Sequence, residues 1–270
     1  MTAKPKRSFG QSTNLVGLPT DLLGSREFND YPQDLHISGA REMNKSLFEM
    51  LLQAPDLGDA GIAFHAYMSA MFGADPDQME GAGRVRRYRS SFLRLLKGWG
   101  YDSNGPEGAV LKGWVQSRFG LFPTYHKDVI DRISGPVWTA YVEEKMSSRF
   151  HNNAIHTQLD MVYEFCQWAL AKHVAPERRH ITLYRGTNSF DEHQIVERLD
   201  RRRVIMRINN LASFSNDRDV AGCFGDIIVT AQVPVVKVVF FNSLLPVHPL
   251  KGEGEYLVIG GEYLVDASYL

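Results

Sequence analysis

The stretch KGEGEYLVIGGEYLVDASYL, Lys251–Leu270, decides how this chain is read. EYLVIG (Glu255–Gly260) and EYLVDASYL (Glu262–Leu270) are short and apolar, rich in residues that favour strands, and Gly260-Gly261 separates them. They predict two strands. Working backwards, DIIVTAQV (Asp226–Val233) and VVKVVFFN (Val235–Asn242) have the same character, with Pro234 between them. In RVIMRI (Arg203–Ile208), Val204, Met206 and Ile208 face one way, while Arg203, Ile205 and Arg207 face the other. ITLYRG (Ile181–Gly186) is the first strand of this half.

Before residue 178 the apolar spacing is helical. Ile155, Leu159, Val162, Cys166, Ala169 and Leu170 recur at three- and four-residue steps and form one stripe. Arg41–Gln53, Leu57–Phe72, Ser90–Gly100 and Glu107–Phe119 also predict helices. Asp128–Phe150 predicts two helical pieces broken at Gly135-Pro136. The expected class is therefore α+β: a helical portion, 1–178, packed on a mainly antiparallel β-rich portion, 179–270, as one integrated domain. Gly73–Gly83 and Ala175–His180 are the expected loops.

At 270 residues, 44% hydrophobic and 23% charged, the chain can bury a large core. The net charge of −1 gives no global attraction to nucleic acid or anionic lipid. Two separate cysteines, Cys166 and Cys223, form neither a disulfide framework nor a C-x-x-C pair, which points to a reducing, cytoplasmic setting. The basic start is not followed by an apolar run, so it does not read as a secretory signal, and no run has the length of a membrane span. No metal is expected, since the nine histidines form no H-E-x-x-H. There is also no dinucleotide glycine fingerprint. The arginines and Lys97 of Gly83–Lys97 suit a solvated helix face or the docking of an acidic protein surface better than nucleic acid. Arg201–Arg203 is equally open, with adenosine phosphates a further option.

Three short features carry possible chemistry. Arg185 ends a strand beside Gly186, Ser213-Phe214-Ser215 lead into NDRDVAGCF, and Glu253 and Glu255 stand two apart. Residues i and i+2 of a strand share a face, so both carboxylates would look into one cleft. Singly, each has a plainer explanation: an arginine paired with a carboxylate, a helix capped by Ser215 or Asn216, a solvated acidic turn. Their order is more specific. Arginine, Ser-x-Ser with a following Phe224, and Glu-x-Glu, in that sequence, resemble the arginine-serine-glutamate class of mono-ADP-ribosyltransferases, and Glu-x-Glu resembles its arginine-modifying branch. Over the N-terminal two thirds, STNLVGLP (Ser12–Pro19), FNDYP (Phe28–Pro32), SGAREMNKSLFEML (Ser38–Leu51) and APDLGDAGIAFHAYMSAMFG (Ala54–Gly73) are similar to the dinitrogenase-reductase ADP-ribosyltransferase family.

The resemblance implies a split sheet and NAD as substrate. It implies that Arg185 holds the NAD phosphates, Gly186 offers backbone groups to the nicotinamide carboxamide, and Phe224 packs on the nicotinamide ring. Ser213 would brace the catalytic Glu255, which bonds the ribose, and Glu253 would meet the acceptor guanidinium. The middle residue of the family's usual Ser-Thr-Ser is Phe214 here. The implied partners are dinitrogenase reductase as protein substrate and a PII signalling protein as activator. Two alternatives remain open from sequence: an NAD glycohydrolase that uses water as acceptor, and a regulator that binds NAD or a partner without turnover.

Overall fold

The computed structural model describes residues 10–72, 91–147, 154–188, 194–247, 249–250 and 254–269. The loop expected at Gly73–Gly83 and most of the basic stretch Gly83–Lys97 lie outside them. The helices are α1 (Thr20–Leu23), α2 (Arg26–Asp30), α3 (Ala40–Met43), α4 (Lys45–Leu51), α5 (Leu57–Phe72), α6 (Phe92–Tyr101), α7 (Pro106–Phe119), α8 (Pro136–Lys145), α9 (Ile155–Ala169) and α10 (Arg218–Gly222). A π-helical turn, Leu170–Val174, extends α9. The strands are β1 (Tyr125–His126), β2 (Asp128–Val129), β3 (His180–Thr187), β4 (Gln194–Arg198), β5 (Arg203–Ser215), β6 (Ile227–Pro234), β7 (Val238–Phe241) and β8 (Glu255–Tyr269).

Local chemistry sets many of these ends. Ser25 and Ser91 accept hydrogen bonds from the Phe28 and Arg94 amides and cap α2 and α6. Pro106 and Pro136 occupy the first turns of α7 and α8, where no N–H is needed. Gly120 closes α7 in the left-handed region, at φ 79°. The stripe read from Ile155 to Leu170 falls on α9 and the first residue of its π-helical extension, and all six of its residues are buried. Buried Asp160 and Glu164 on the same helix are fully engaged. Asp160 accepts from Trp114 Nε1 at 2.7 Å and from Arg118 Nε and Nη2, each at 2.8 Å. Glu164 accepts from the Ile37 amide at 2.7 Å and pairs with Arg41.

The sheet is antiparallel and split. Residues 203–208 of β5 pair with β4 on one side and with 261–266 of β8 on the other, and β8 continues onto β6, which pairs with β3. Past a register shift between Ile208 and Leu211, residues 211–215 of β5 pair with 255–259 of β8, which pairs onward with β7. Tyr184 of β3 meets Ser215 and links the two halves. One cluster of buried apolar side chains runs through both portions, from Leu23 and Phe64 to Phe165, Phe240 and Val265.

Four sequence expectations change. The last two expected strands are one strand, β8, because Gly260-Gly261 forms a bend within it and not a hairpin turn. A Cβ on Gly260 would fall 1.9 Å from the Asn209 carbonyl oxygen, and Gly261 has φ 128°. Arg41–Gln53 is two short helices with Asn44 between them. The first expected piece of Asp128–Phe150 is β2 and a turn, and only the part that begins at Pro136 is helical. Val235–Lys237 is a 3-10 turn before β7, and β4 had no counterpart in the sequence reading.

Candidate active site

The split places the ends of β3, β5 and β8 side by side. In register, Ser215 stands opposite Glu255 and Ser213 opposite Leu257, so Ser213 and Glu255 are diagonal neighbours on one face. The Ser213 hydroxyl donates to Glu255 Oε1 at 2.7 Å. Trp99 Nε1, at the end of α6, donates to the same hydroxyl at 2.8 Å. Arg185 Nη1 donates to the Ser213 carbonyl oxygen at 2.8 Å. Arginine, serine and glutamate, 70 residues apart in sequence between Arg185 and Glu255, thus form one connected constellation.

These side chains line a cavity of about 700 Å³ together with Tyr101, Ser103, Gly186, Ser215, Val220, Ala221 and Phe224. That volume falls within the range of roughly 300–1,000 Å³ typical of small-molecule and cofactor sites. Phe224 stands 64% exposed at the rim. A second cavity of about 290 Å³, lined by Trp138, Arg132 and Arg207, contains none of the expected site residues.

The wall opposite β3 is α10. It is capped by Asp217, which accepts from the Asp219 and Val220 amides, and not by Ser215 or Asn216 as expected. The Ser215 hydroxyl instead accepts from the Asp217 amide at 3.0 Å. Gly186 is needed for space: a Cβ there would lie 1.9 Å from the Ala221 carbonyl oxygen, so α10 can approach β3 only over a glycine. Phe214, in the middle of Ser-x-Ser, is 2% exposed within the main core cluster, which explains an apolar residue at that position.

Glu253 lies outside the described residues. Gly254 has φ 64° and β8 begins only at Glu255, so the chain is not extended just before the strand. Strand alternation therefore does not fix the direction of Glu253. Among the described residues of the basic stretch, Arg94 faces Glu107 at 3.6 Å. Arg203 pairs with Asp200 at the other end of β5, roughly 30 Å from Ser213 at about 3.3 Å per residue. That distance removes Arg201–Arg203 from the cavity.

Sequence reasoning missed Trp99, Tyr101 and Ser103, which come from the helical portion. It also missed the support behind Trp99. Lys112 is 1% exposed, donates to Asn104 Oδ1 at 2.9 Å and to the Tyr125 carbonyl at 3.1 Å, and its ammonium lies 5.9 Å from the Trp99 ring centre. Lys112 also meets His126 Nδ1 at 3.4 Å, and His126 Nε2 meets Glu144 at 3.0 Å. Burial, and then the Lys112 charge, hold the His126 pKa below its ordinary value. The neutral ring therefore accepts from Lys112 at Nδ1 and donates to Glu144 from Nε2. A tryptophan between two glycines in KGWG, Lys97–Gly100, was the available signal.

Among the described residues no group of three His, Cys, Asp or Glu is placed to hold a metal ion. Among them, too, no helix is long and apolar enough to cross a membrane. Residues 13–267 match the family model for dinitrogenase reductase ADP-ribosyltransferase. The chain is 64% identical over 266 residues to the NAD(+)–dinitrogen-reductase ADP-D-ribosyltransferase of Rhodospirillum rubrum, covering 97% of this chain and 96% of that protein. No solved structure matches.

Proposed function

Because this chain belongs to the dinitrogenase reductase ADP-ribosyltransferase family, we propose that it transfers ADP-ribose from NAD to an arginine of dinitrogenase reductase, using the cavity between β3, β5, β8 and α10. The observation that carries this reading is the 2.7 Å bond from Ser213 to Glu255 inside a cavity that Arg185 also lines. Cleavage of the bond between nicotinamide and ribose builds positive charge on the sugar, as in glycoside hydrolysis. Glu255 is the anionic group that stabilises that charge, and Ser213 holds its orientation. An oriented electrostatic group of this kind is worth about 2.7–4 kcal/mol when removed.

The leaving nicotinamide is already cationic in NAD, so no general acid is required. A second carboxylate is then available to the acceptor, and we assign that role to Glu253. The acceptor guanidinium stays protonated at any ordinary pH and needs a base to become nucleophilic. Arg185 supplies positive charge for the pyrophosphate, and Phe224 an apolar face at the rim for the nicotinamide. Family resemblance adds a PII signalling protein as activator, with the helical portion as its docking place. The bulky, doubly anionic modification would block docking of the reductase with dinitrogenase and so switch off nitrogen fixation.

The test is mass spectrometry of dinitrogenase reductase after incubation with this protein, NAD and PII. ADP-ribose on an arginine is expected. Glu255→Gln should abolish both transfer and NAD hydrolysis, whereas Glu253→Gln should spare hydrolysis and lose transfer. Equal loss of both activities in both variants would contradict the division of labour, and absence of label with wild-type protein would overturn the function.

A further inference from the structure

We propose that Trp99 is a positioning residue for the transfer reaction, its indole N–H fixing the Ser213 proton on the side of Glu255. The inference rests on the roles of Ser213 and Glu255 given above. An indole N–H can only donate, so at 2.8 Å the Ser213 oxygen is its acceptor. A serine hydroxyl has one proton, and the carboxylate 2.7 Å away can only accept. The chain of donors therefore runs one way, from Trp99 to Ser213 to Glu255. Without the indole, the hydroxyl oxygen loses its donor, and the bond to Glu255 loses the polarisation and the orientation that this donor imposes. With it, the hydroxyl is polarised and remains aimed at Oε1.

The indole is itself fixed. Trp99 is 4% exposed and lies under the Lys112 ammonium, which Asn104 and the Tyr125 carbonyl hold in place. Beside it, a Cβ on Gly98 would fall 2.4 Å from Glu107 Cγ, so α6 is seated closely against α7. The helical portion thus contributes a member of the constellation. No reading confined to the β-rich portion could supply it.

The test is a double-mutant cycle on the initial rate of ADP-ribose transfer to dinitrogenase reductase with NAD varied. Trp99→Phe keeps an aromatic ring, though a smaller one, and removes the donor. Its kcat should fall about 5- to 20-fold, the scale of one hydrogen bond to a charged network, with KM for NAD within twofold. In a Ser213→Ala background the same change should cost less than twofold, because the bond it removes is already gone. Losses that multiply, or a raised KM with unchanged kcat, would overturn the inference and leave Trp99 as a cavity wall. Should Trp99→Phe fail to fold, benzothienylalanine at position 99, which has the same shape with sulfur in place of N–H, must show the same loss; full activity there overturns the inference too. Glu255→Gln separates the two levels. If it retains turnover, the underlying assignment fails. If it is inactive while the other losses multiply, only the role of Trp99 fails.

Discussion

Gly186→Ala tests the closest contact around the cavity. The added Cβ would sit 1.9 Å from the Ala221 carbonyl oxygen, 3.0 Å from its carbon and 3.1 Å from the Gly225 nitrogen. Real Cβ atoms essentially never approach within 3.0 Å, so the first contact must open by about 1.1 Å or more. Backbone stands on both sides, and no rotamer change relieves the overlap. β3 cannot give way easily, since it is paired with β6 from His180 to Thr187. The five-residue α10 must move, and it carries Val220, Ala221 and, just beyond it, Phe224 of the cavity wall. Overpacking of this kind costs about 1–3 kcal/mol. At roughly 2–4 °C per kcal/mol for a chain approaching this size, Tm should fall by about 4–8 °C for a cost near 2 kcal/mol. A displacement of about 1 Å in a binding wall can cost up to about 100-fold, so kcat/KM for NAD should fall at least about tenfold. Thermal unfolding and initial rates of nicotinamide release measure both. A variant within 1 °C and twofold of wild type would refute the close approach of α10 to β3.

The other two consequences concern stability. His126 is neutral in the fold with a pKa held below about 6.5, so the unfolded chain binds a proton that the native protein does not, and stability is lost as pH falls through about 6.5 toward the folded value. Tm measured at pH 7.5 and 5.5 should drop more in wild type than in His126→Gln, with a remainder from His156, which is depressed in the same direction mainly by burial; identical drops would count against this assignment. Asp160→Asn leaves Arg118 without its two-pronged partner and weakens the bond from Trp114. Breaking a largely buried pair in this way should cost about 3 kcal/mol in urea unfolding, and a loss below about 1 kcal/mol would show that water replaces the carboxylate readily.

Much of the fold was legible because burial imposes a period. The α9 stripe and Val204, Met206 and Ile208 are all buried as read, but burial reaches further than either period: α9 is covered on most of its surface, and Ile205, on the opposite face of β5, is buried as well. Gly260-Gly261 reads as a break between two strands because glycine pairs are common where strands end, and a crowded point inside one strand asks the same of a sequence, backbone without Cβ. The pairing of β8 with β5 on both sides of the glycines, and the Asn209 carbonyl packed beside Gly260, separate the two cases. Arg185, Ser213 and Glu255, singled out by their order in the sequence, come together around one cavity because β3, β5 and β8 end side by side there. Gly186 was found for a different reason from the one the structure supplies. Trp99 was invisible because its function is a single bond across 114 residues, and no local pattern encodes which distant hydroxyl an indole will meet.

At the bend between half-sheets the helical portion supports the segments that carry Ser213 and Glu255. Where β5 and β8 shift register, their backbone and amide groups lose regular ladder partners, and such groups must be satisfied elsewhere when buried. Asn210 Nδ2 donates to the Lys112 and Leu121 carbonyls at 2.9 and 3.0 Å, and Asn209 bonds the Thr124 amide and the Tyr125 carbonyl. Asn29 Nδ2 reaches the Glu262 carbonyl at 2.7 Å. Lys237, fully buried between the Phe28 and Tyr263 rings, donates to the Gly260 carbonyl at 3.0 Å, and burial holds its pKa well below the ordinary lysine range. These bonds tie the chain around the register shift to the helical portion and to the turn before β7. Ser213 and Glu255 lie just beyond that shift, on residues 211–215 and 255–259, so their 2.7 Å contact sits on segments that Asn29, the Lys112, Leu121 and Tyr125 carbonyls and, from the β-rich portion, Lys237 hold in place.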